Sequence, residues 1–258
     1  MHETAYHSGR LFFQTYARDD WTQALEIGSA DVNGALRDLC PPQVHYVGLD
    51  RLPGPGVDLV ADLNHGLPFA AGSFDVVLSS STLEHDPAFW DTFCNAVRLL
   101  KPAGLLYLCA PSNNGFHRHP VDCWRFYPDA SKALENWAHR QGLMIELVES
   151  FTSPPAESGW SDFIAIFSKP PHRFRANARL WQQRQAQNIW DIDHAALLHP
   201  SGDTFDMQVY AKLQAELAAC QQENQQLRRQ LAMLSREIDA AYRALAELAP
   251  PSGSTPAD

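Results

Sequence analysis

No stretch of this 258-residue chain approaches the roughly 18 consecutive apolar residues that a membrane span requires, although 45% of its residues are hydrophobic. The opening Met-His-Glu-Thr-Ala lacks the basic-then-apolar order of a secretory leader. The five cysteines, Cys40, Cys94, Cys109, Cys123 and Cys220, include no Cys-x-x-Cys pair. That argues against a zinc ribbon or a disulfide framework and leads us to expect a reducing, cytoplasmic setting. Basic charge is scarce too. Residues 1–170 hold 11 Lys/Arg against 20 Asp/Glu, and the whole chain carries a formal charge of −10. An acidic domain is a poor match for non-specific nucleic-acid binding, which needs a basic face. Finally, no Gly-x-Gly-x-x-Gly follows the first apolar run, as a nicotinamide-dependent oxidoreductase would want.

What is present alternates strand and helix signals. Residues 5–18 read as an amphipathic helix with Leu11, Phe12 and Tyr16 on its apolar side. Ala24-Leu25-Glu26-Ile27 reads as a buried strand, Gly28-Ser29-Ala30-Asp31 as a turn, and Val32 to Cys40 as a helix. A strand running through a tight turn into a helix N-terminus makes a polar pocket at the carboxyl edge of a sheet. Further strands are expected at 44–50, 57–62, 74–80 and 105–110, with a Pro/Gly-rich loop at 51–56 and a helix at 87–100. A helix near 129–141 and strands at 144–148 and 163–167 complete the pattern. Strands separated by crossovers imply an α/β, doubly wound, mostly parallel sheet. Asp50 ends the second strand, 24 residues beyond Glu26, where a carboxylate is placed to accept hydrogen bonds from ribose hydroxyls.

Leu25-Glu26-Ile27-Gly28, Asp50, Phe74-Asp75-Val76-Val77, Leu83-Glu84-His85 and Leu100-Lys101-Pro102-Ala103-Gly104 follow one another in a recognisable order. In this the chain resembles the class I S-adenosylmethionine-dependent methyltransferases, most of all the methyltransferase type 11 group. The resemblance covers about residues 20–169 and implies a seven-stranded Rossmann-like sheet with an antiparallel final strand. It implies S-adenosyl-L-methionine as cofactor, with Glu26, Gly28 and Ser29 at its methionine end and Asp50 on the ribose. It also implies Asp62 and Leu63 against the adenine, and Ser79 and Ser80 near the reacting sulfur. Ala30 stands where a second glycine is common. A Cβ is tolerated there unless φ must be positive.

Proton-accepting groups are expected at His85, His119 and Asp122, since a positioned base assists methyl transfer to oxygen or nitrogen. His85 also reads as a helix cap. The segment His117-Arg118-His119-Pro120-Val121-Asp122-Cys123-Trp124-Arg125-Phe126-Tyr127 combines ring-stacking and hydrogen-bonding groups. Its His-Pro-x-Asp-x-x-Arg-Phe pattern resembles methyltransferases of bacterial surface-glycan assembly, which makes a sugar hydroxyl the expected acceptor, with Trp124, Arg125 and Tyr127 as its contacts. The same segment reads equally as a packed lid in which Arg125 and Asp122 pair. His117, His119, Asp122 and Cys123 are zinc-compatible ligand types, but no second ligand pair at a familiar spacing accompanies them. No metal is therefore expected.

Four segments result: a methyltransferase domain over 1–169, a linker with a possible helix (Arg173 to Trp190) over 170–206, a coiled coil over 207–249 and a disordered tail over 250–258. Tyr210, Leu217, Asn224, Leu231, Ile238 and Leu245 are seven apart, interleaved with Leu213, Cys220, Leu227, Leu234, Ala241 and Leu248. This 4-3 pattern with Asn224 at a core position favours a parallel dimer in register. Two functional readings remain at this level: a methyltransferase acting on a sugar or another small metabolite, and a non-catalytic scaffold that works through its coil.

Overall fold

In the computed structural model, which describes residues 2–248 apart from 63, 66–68, 156–158 and 175–177, apolar side chains alternate across one central sheet. Strand β1 (Gln23–Ile27) sends Leu25 and Ile27 to one face and Ala24 to the other, and β4 (Phe74–Ser80) splits Val77 from Val76 and Leu78 in the same way. The period of two puts every second residue of a strand into the same core. Two cores result. One packs Phe93 and Val97 of helix α2 (Phe89–Leu99) and Leu134 and Ala138 of α3 (Asp129–Arg140) on the sheet. The other packs Phe12 and Tyr16 of α1 (Glu3–Tyr16) with Leu36, Leu180 and Ile189.

The remaining strands are β2 (His45–Asp50), β3 (Leu59–Val60), β5 (Leu100–Pro111), β6 (Glu146–Thr152), β7 (Asp162–Ser168) and β8 (Gln187–Asp191). Their spatial order is β3-β2-β1-β4-β5-β7-β6-β8. The pairs from β3 through β5 are parallel, and β7 runs antiparallel between β5 and β6. The expected doubly wound sheet with an antiparallel strand is therefore present, with eight strands rather than seven.

Three local expectations are corrected. The helix over Val32 to Cys40 reduces to one 3₁₀ turn at Leu36–Leu39. The Asp31 side chain accepts the Gly34 N–H at 2.8 Å and Gly34 takes φ +107°, so a side chain replaces the first helical turn, while Pro41-Pro42 stops the other end. The strand over 57–62 keeps only Leu59–Val60, at the sheet's edge.

Residues 170–206, expected as a linker with a possible helix, instead add β8. It pairs antiparallel with β6, Ser150 opposite Trp190. Buried Glu149 holds this segment in place, accepting the Tyr16 hydroxyl at 2.5 Å and the Leu180 and Trp181 N–H groups at 2.9 and 3.0 Å. A strand edge left bare would expose unpaired backbone groups, and β8 covers that of β6. The compact unit accordingly runs from Met1 to Phe205.

The second unit is one helix, α4 (Phe205–Leu248). Its seam residues are solvent-exposed in the single chain, among them Leu217 (59%), Leu231 (66%) and Ile238 (54%). The tail expected over 250–258 lies outside the described residues.

Candidate active site

The carboxyl ends of β1, β2 and β4 open into one cavity of about 820 Å³. The crevice beyond the strand ends, where the chain order reverses between β1 and β4, is where open α/β sheets take ligands. Gly28 follows β1 at φ +80°, and a Cβ there would fall on the Thr82 hydroxyl. Only glycine fits that turn. Ala30 does not need positive φ, so its side chain leaves the turn unstrained.

Two acids look into this end of the cavity from neighbouring strands. Glu26 is buried and its Oε2 accepts the Tyr46 hydroxyl at 2.9 Å. Burial raises its pKa to about 7, with the Tyr46 hydrogen bond and Arg37 opposing. Asp50 accepts the Ala30 N–H on Oδ2 at 3.1 Å and, weakly, the Leu52 N–H on Oδ1 at 3.3 Å. The hydroxyls of Ser29 and Ser81 are buried at the same wall without a hydrogen-bond partner. Buried polar atoms are rarely left so, and a polar ligand would satisfy them. The Gly28 and Ser29 N–H groups both donate to Leu49 O at 2.8 and 3.1 Å, so the side chains rather than these amides face a guest.

Of the other expected cofactor contacts, Ser80 lines the cavity, whereas Ser79 is buried in β4 and Asp62 is not among the lining residues. Asp62 instead accepts the Asn64 N–H at 3.1 Å and pairs with His65 at 3.0 Å, closing its own turn on the exposed edge. Leu63 lies outside the described residues.

The far end of the cavity is built by Glu84, His85, His117, His119 and Trp160. Glu84 sits in the 3₁₀ turn after β4, only 1% exposed, and burial raises its pKa to about 8. His85 Nδ1 donates to Val121 O at 2.5 Å; a carbonyl can only accept, so Nδ1 carries the proton and Nε2 holds the lone pair. Burial lowers the His85 pKa, against the opposing Val121 bond. The imidazole is therefore neutral near pH 7 and able to take a proton.

His119 lies on the same wall, its ring 6.3 Å from that of His85. Asp122 does not line the cavity. Both its oxygens are gripped by Arg125 at 2.6 and 2.9 Å, and Oδ2 also accepts the His117 N–H at 2.8 Å. The Arg125 hydrogen bond pulls its pKa to about 2, which leaves a poor base. Arg125 further donates to Asn113 O and Gly115 O.

Trp124, Arg125 and Tyr127, expected against the acceptor, are likewise outside the lining. Trp124 turns away to donate to Asp86 O at 2.9 Å and packs on Phe89 and Trp90. The pair Asp122–Arg125 thus ties the loop that presents His117 and His119. Glu84 and Trp160 were not singled out as site residues. Glu84 lay in plain view inside the Leu-Glu-His motif, whereas nothing local to Trp160 marks it.

A doubly wound sheet with paired carboxylates over its first two strand ends is the arrangement in which open α/β sheets take ribose-bearing ligands. Comparison with known proteins narrows this. Residues 19–108 match the family model described as a methyltransferase domain. An uncharacterized methyltransferase of Mycobacterium marinum is 37% identical over 103 residues, and one of Mycobacterium ulcerans 31% over the same length. The chain spans about two fifths of the length of these curated relatives, and the match takes in 40% of this chain. Among solved structures, the 1,6-didemethyltoxoflavin-N1-methyltransferase of Burkholderia thailandensis is similar at TM-score 0.48 and 16% identity, over 65% of this chain and 77% of that one. Residues 19–108, which carry Glu26, Gly28 and Asp50, are thus similar to a methyltransferase domain.

Proposed function

We propose that this chain transfers the methyl group of S-adenosylmethionine to a hydroxyl oxygen of a sugar or surface-glycan precursor. One observation carries the reading: a single cavity has Glu26 and Asp50 at one end and a histidine-rich wall at the other. Glu26 suits the cofactor's ammonium group and Asp50 its ribose hydroxyls. When bound, the cofactor supplies a methyl carbon activated by a positively charged sulfur. The chain itself then has to orient an acceptor and remove its proton. His85 Nε2 is the proton acceptor, because its Nδ1 is fixed on Val121 O and its ring is neutral at pH 7.

His119 and the ring of Trp160 supply polar and stacking contacts for a hydroxylated ring. The glycan class rests on the resemblance of His119-Pro120, Asp122 and Arg125-Phe126 to glycan methyltransferases. Among the described residues no helix is long and apolar enough to cross a membrane, and a cytoplasmic site of action fits a soluble nucleotide-sugar acceptor.

Self-association through α4 belongs to the same proposal. A 44-residue helix with an exposed apolar seam gains stability by pairing that seam with a second copy. The enzymatic reading is tested by incubating the chain with methyl-labelled S-adenosylmethionine and a panel of nucleotide sugars and oligosaccharides. Label is expected in an ether that survives mild base. Transfer only to nitrogen-bearing metabolites would refute the hydroxyl acceptor.

A further inference from the structure

We propose that Glu84, His85 and His117 form a site for a divalent first-row cation of zinc-like ligand preference at the acceptor end of the cavity. The three residues each offer a ligand atom, and these atoms lie within 4.8 Å of one another. Two histidines and one carboxylate are a ligand set that leaves coordination positions open for water or substrate.

The strongest sign of a missing partner is Glu84. It is 1% exposed, lines the cavity, and its Oε2 has no hydrogen-bond partner. A carboxyl taken out of water in this way stays neutral unless a cation balances its charge, and no Lys or Arg forms an ion pair with it among the described residues; its neighbour is His85 Nε2, 3.7 Å from Oε1.

Each histidine is also prepared from behind. The Nδ1 of His85 is held on Val121 O, so Nε2 turns its lone pair toward Glu84. The side-chain polar contacts of His117 fall on Nδ1, with Gly115 O at 3.3 Å and Asp122 Oδ2 and Arg125 Nη2 both at 3.4 Å. Metal-binding histidines are typically oriented by a carbonyl or carboxylate on the second nitrogen. Gly115 O serves that purpose for His117, with Asp122, itself clamped by Arg125, beside it. The two rings stand 5.0 Å apart, edge to face. The ligand atoms must close by about 1 Å to meet a cation at the usual ~2.0–2.2 Å bond lengths. His117, on a half-exposed loop, can supply that movement.

This set differs from the residues the sequence suggested. Asp122 is engaged by Arg125, and Cys123 is exposed and is not among the cavity-lining residues. The chemical role of the cation rests on the function proposed above: with His85 Nε2 bound to it, the cation would stand in for that base, binding the acceptor hydroxyl and lowering its pKa so that the proton leaves to His119 or water.

The test uses the tag-free full chain, stripped with chelator and titrated with Co²⁺ while visible absorption is recorded. Calorimetric binding of S-adenosylhomocysteine is measured on the same samples. One equivalent of Co²⁺ should bind with a ligand-field spectrum of mixed nitrogen and oxygen ligation, displaceable by Zn²⁺. Glu84→Gln and His117→Ala should each weaken Co²⁺ by at least about tenfold, the scale of losing a ligand or its support. His117→Ala alters only a loop side chain, so it keeps the test sound should Glu84→Gln misfold. Absence of Co²⁺ binding, or equal affinity in wild type and His117→Ala, overturns the site. Co²⁺ binding without S-adenosylhomocysteine binding supports the metal site and refutes the methyltransferase reading. The reverse result refutes the metal site alone.

Discussion

At Gly28 the backbone conformation and the space around it set the same demand. Its φ of +80° and the Thr82 side chain behind it both exclude a Cβ. Gly28→Ala should therefore lower the melting temperature by an amount equivalent to about 2 kcal/mol or more, combining backbone strain with a steric clash. A melting temperature within a degree of wild type would show that the turn can relax.

Glu149 makes a different prediction, about pH. Burial raises its folded pKa to about 7, against the opposing hydrogen bonds from Tyr16, Leu180 and Trp181. Its unfolded value is about 4.3, so between the two the folded chain holds the extra proton. Its contribution is fully present below pH 4 and is lost as pH rises through 7. Glu26 and Glu84, raised to about 7 and 8 by burial, act in the same direction. Thermal stability is expected to fall from pH 5 to pH 8, and Glu149→Gln should show a shallower slope although it is less stable throughout. An unchanged slope would mean that Glu149 is ionised in the folded chain.

Among the elements, legibility followed how local the cause was. β1, β2 and β4 are clear because alternating apolar residues between turn signals specify buried strands, and Glu26, Gly28 and Asp50 could be placed from them. The helix after β1 was misread because Asp31 and Gly34 divert the chain by a side-chain hydrogen bond that apolar spacing does not record. β8 was invisible for another reason. Gln187 to Asp191 becomes a strand only because the edge of β6 is there to pair with it, and pairing partners 40 residues apart leave no local mark. Residue type and the His-Pro-x-Asp-x-x-Arg-Phe resemblance point to Trp124, Arg125 and Tyr127 as acceptor contacts, whereas Trp124 packs on Phe89 of α2 and Arg125 donates within its own loop.

A consequence at this scale is that residues 170–205 are part of the folded unit. Truncation after residue 205 should keep the cooperative thermal transition, while truncation after residue 169 should abolish it by removing β8 and the donors to Glu149. A folded 1–169 fragment would contradict this.

For the whole molecule, the heptad seam of α4 sets the expectation of association. Light scattering should give a dimer for the full chain and a monomer for residues 1–205. A dimer in both would place the interface elsewhere. Asn224 at a seam position predicts that Asn224→Leu raises stability while loosening the choice of oligomer.

Calorimetry of S-adenosylhomocysteine on the full chain tests most directly whether the strand-end cavity takes S-adenosylmethionine. Micromolar binding is expected, weakened about ten- to a hundredfold in Asp50→Ala, the scale of losing hydrogen bonds to a charged group, with the wild-type circular dichroism retained. No binding at millimolar ligand would contradict the account and leave a methyltransferase-type fold that works as a scaffold through its helix.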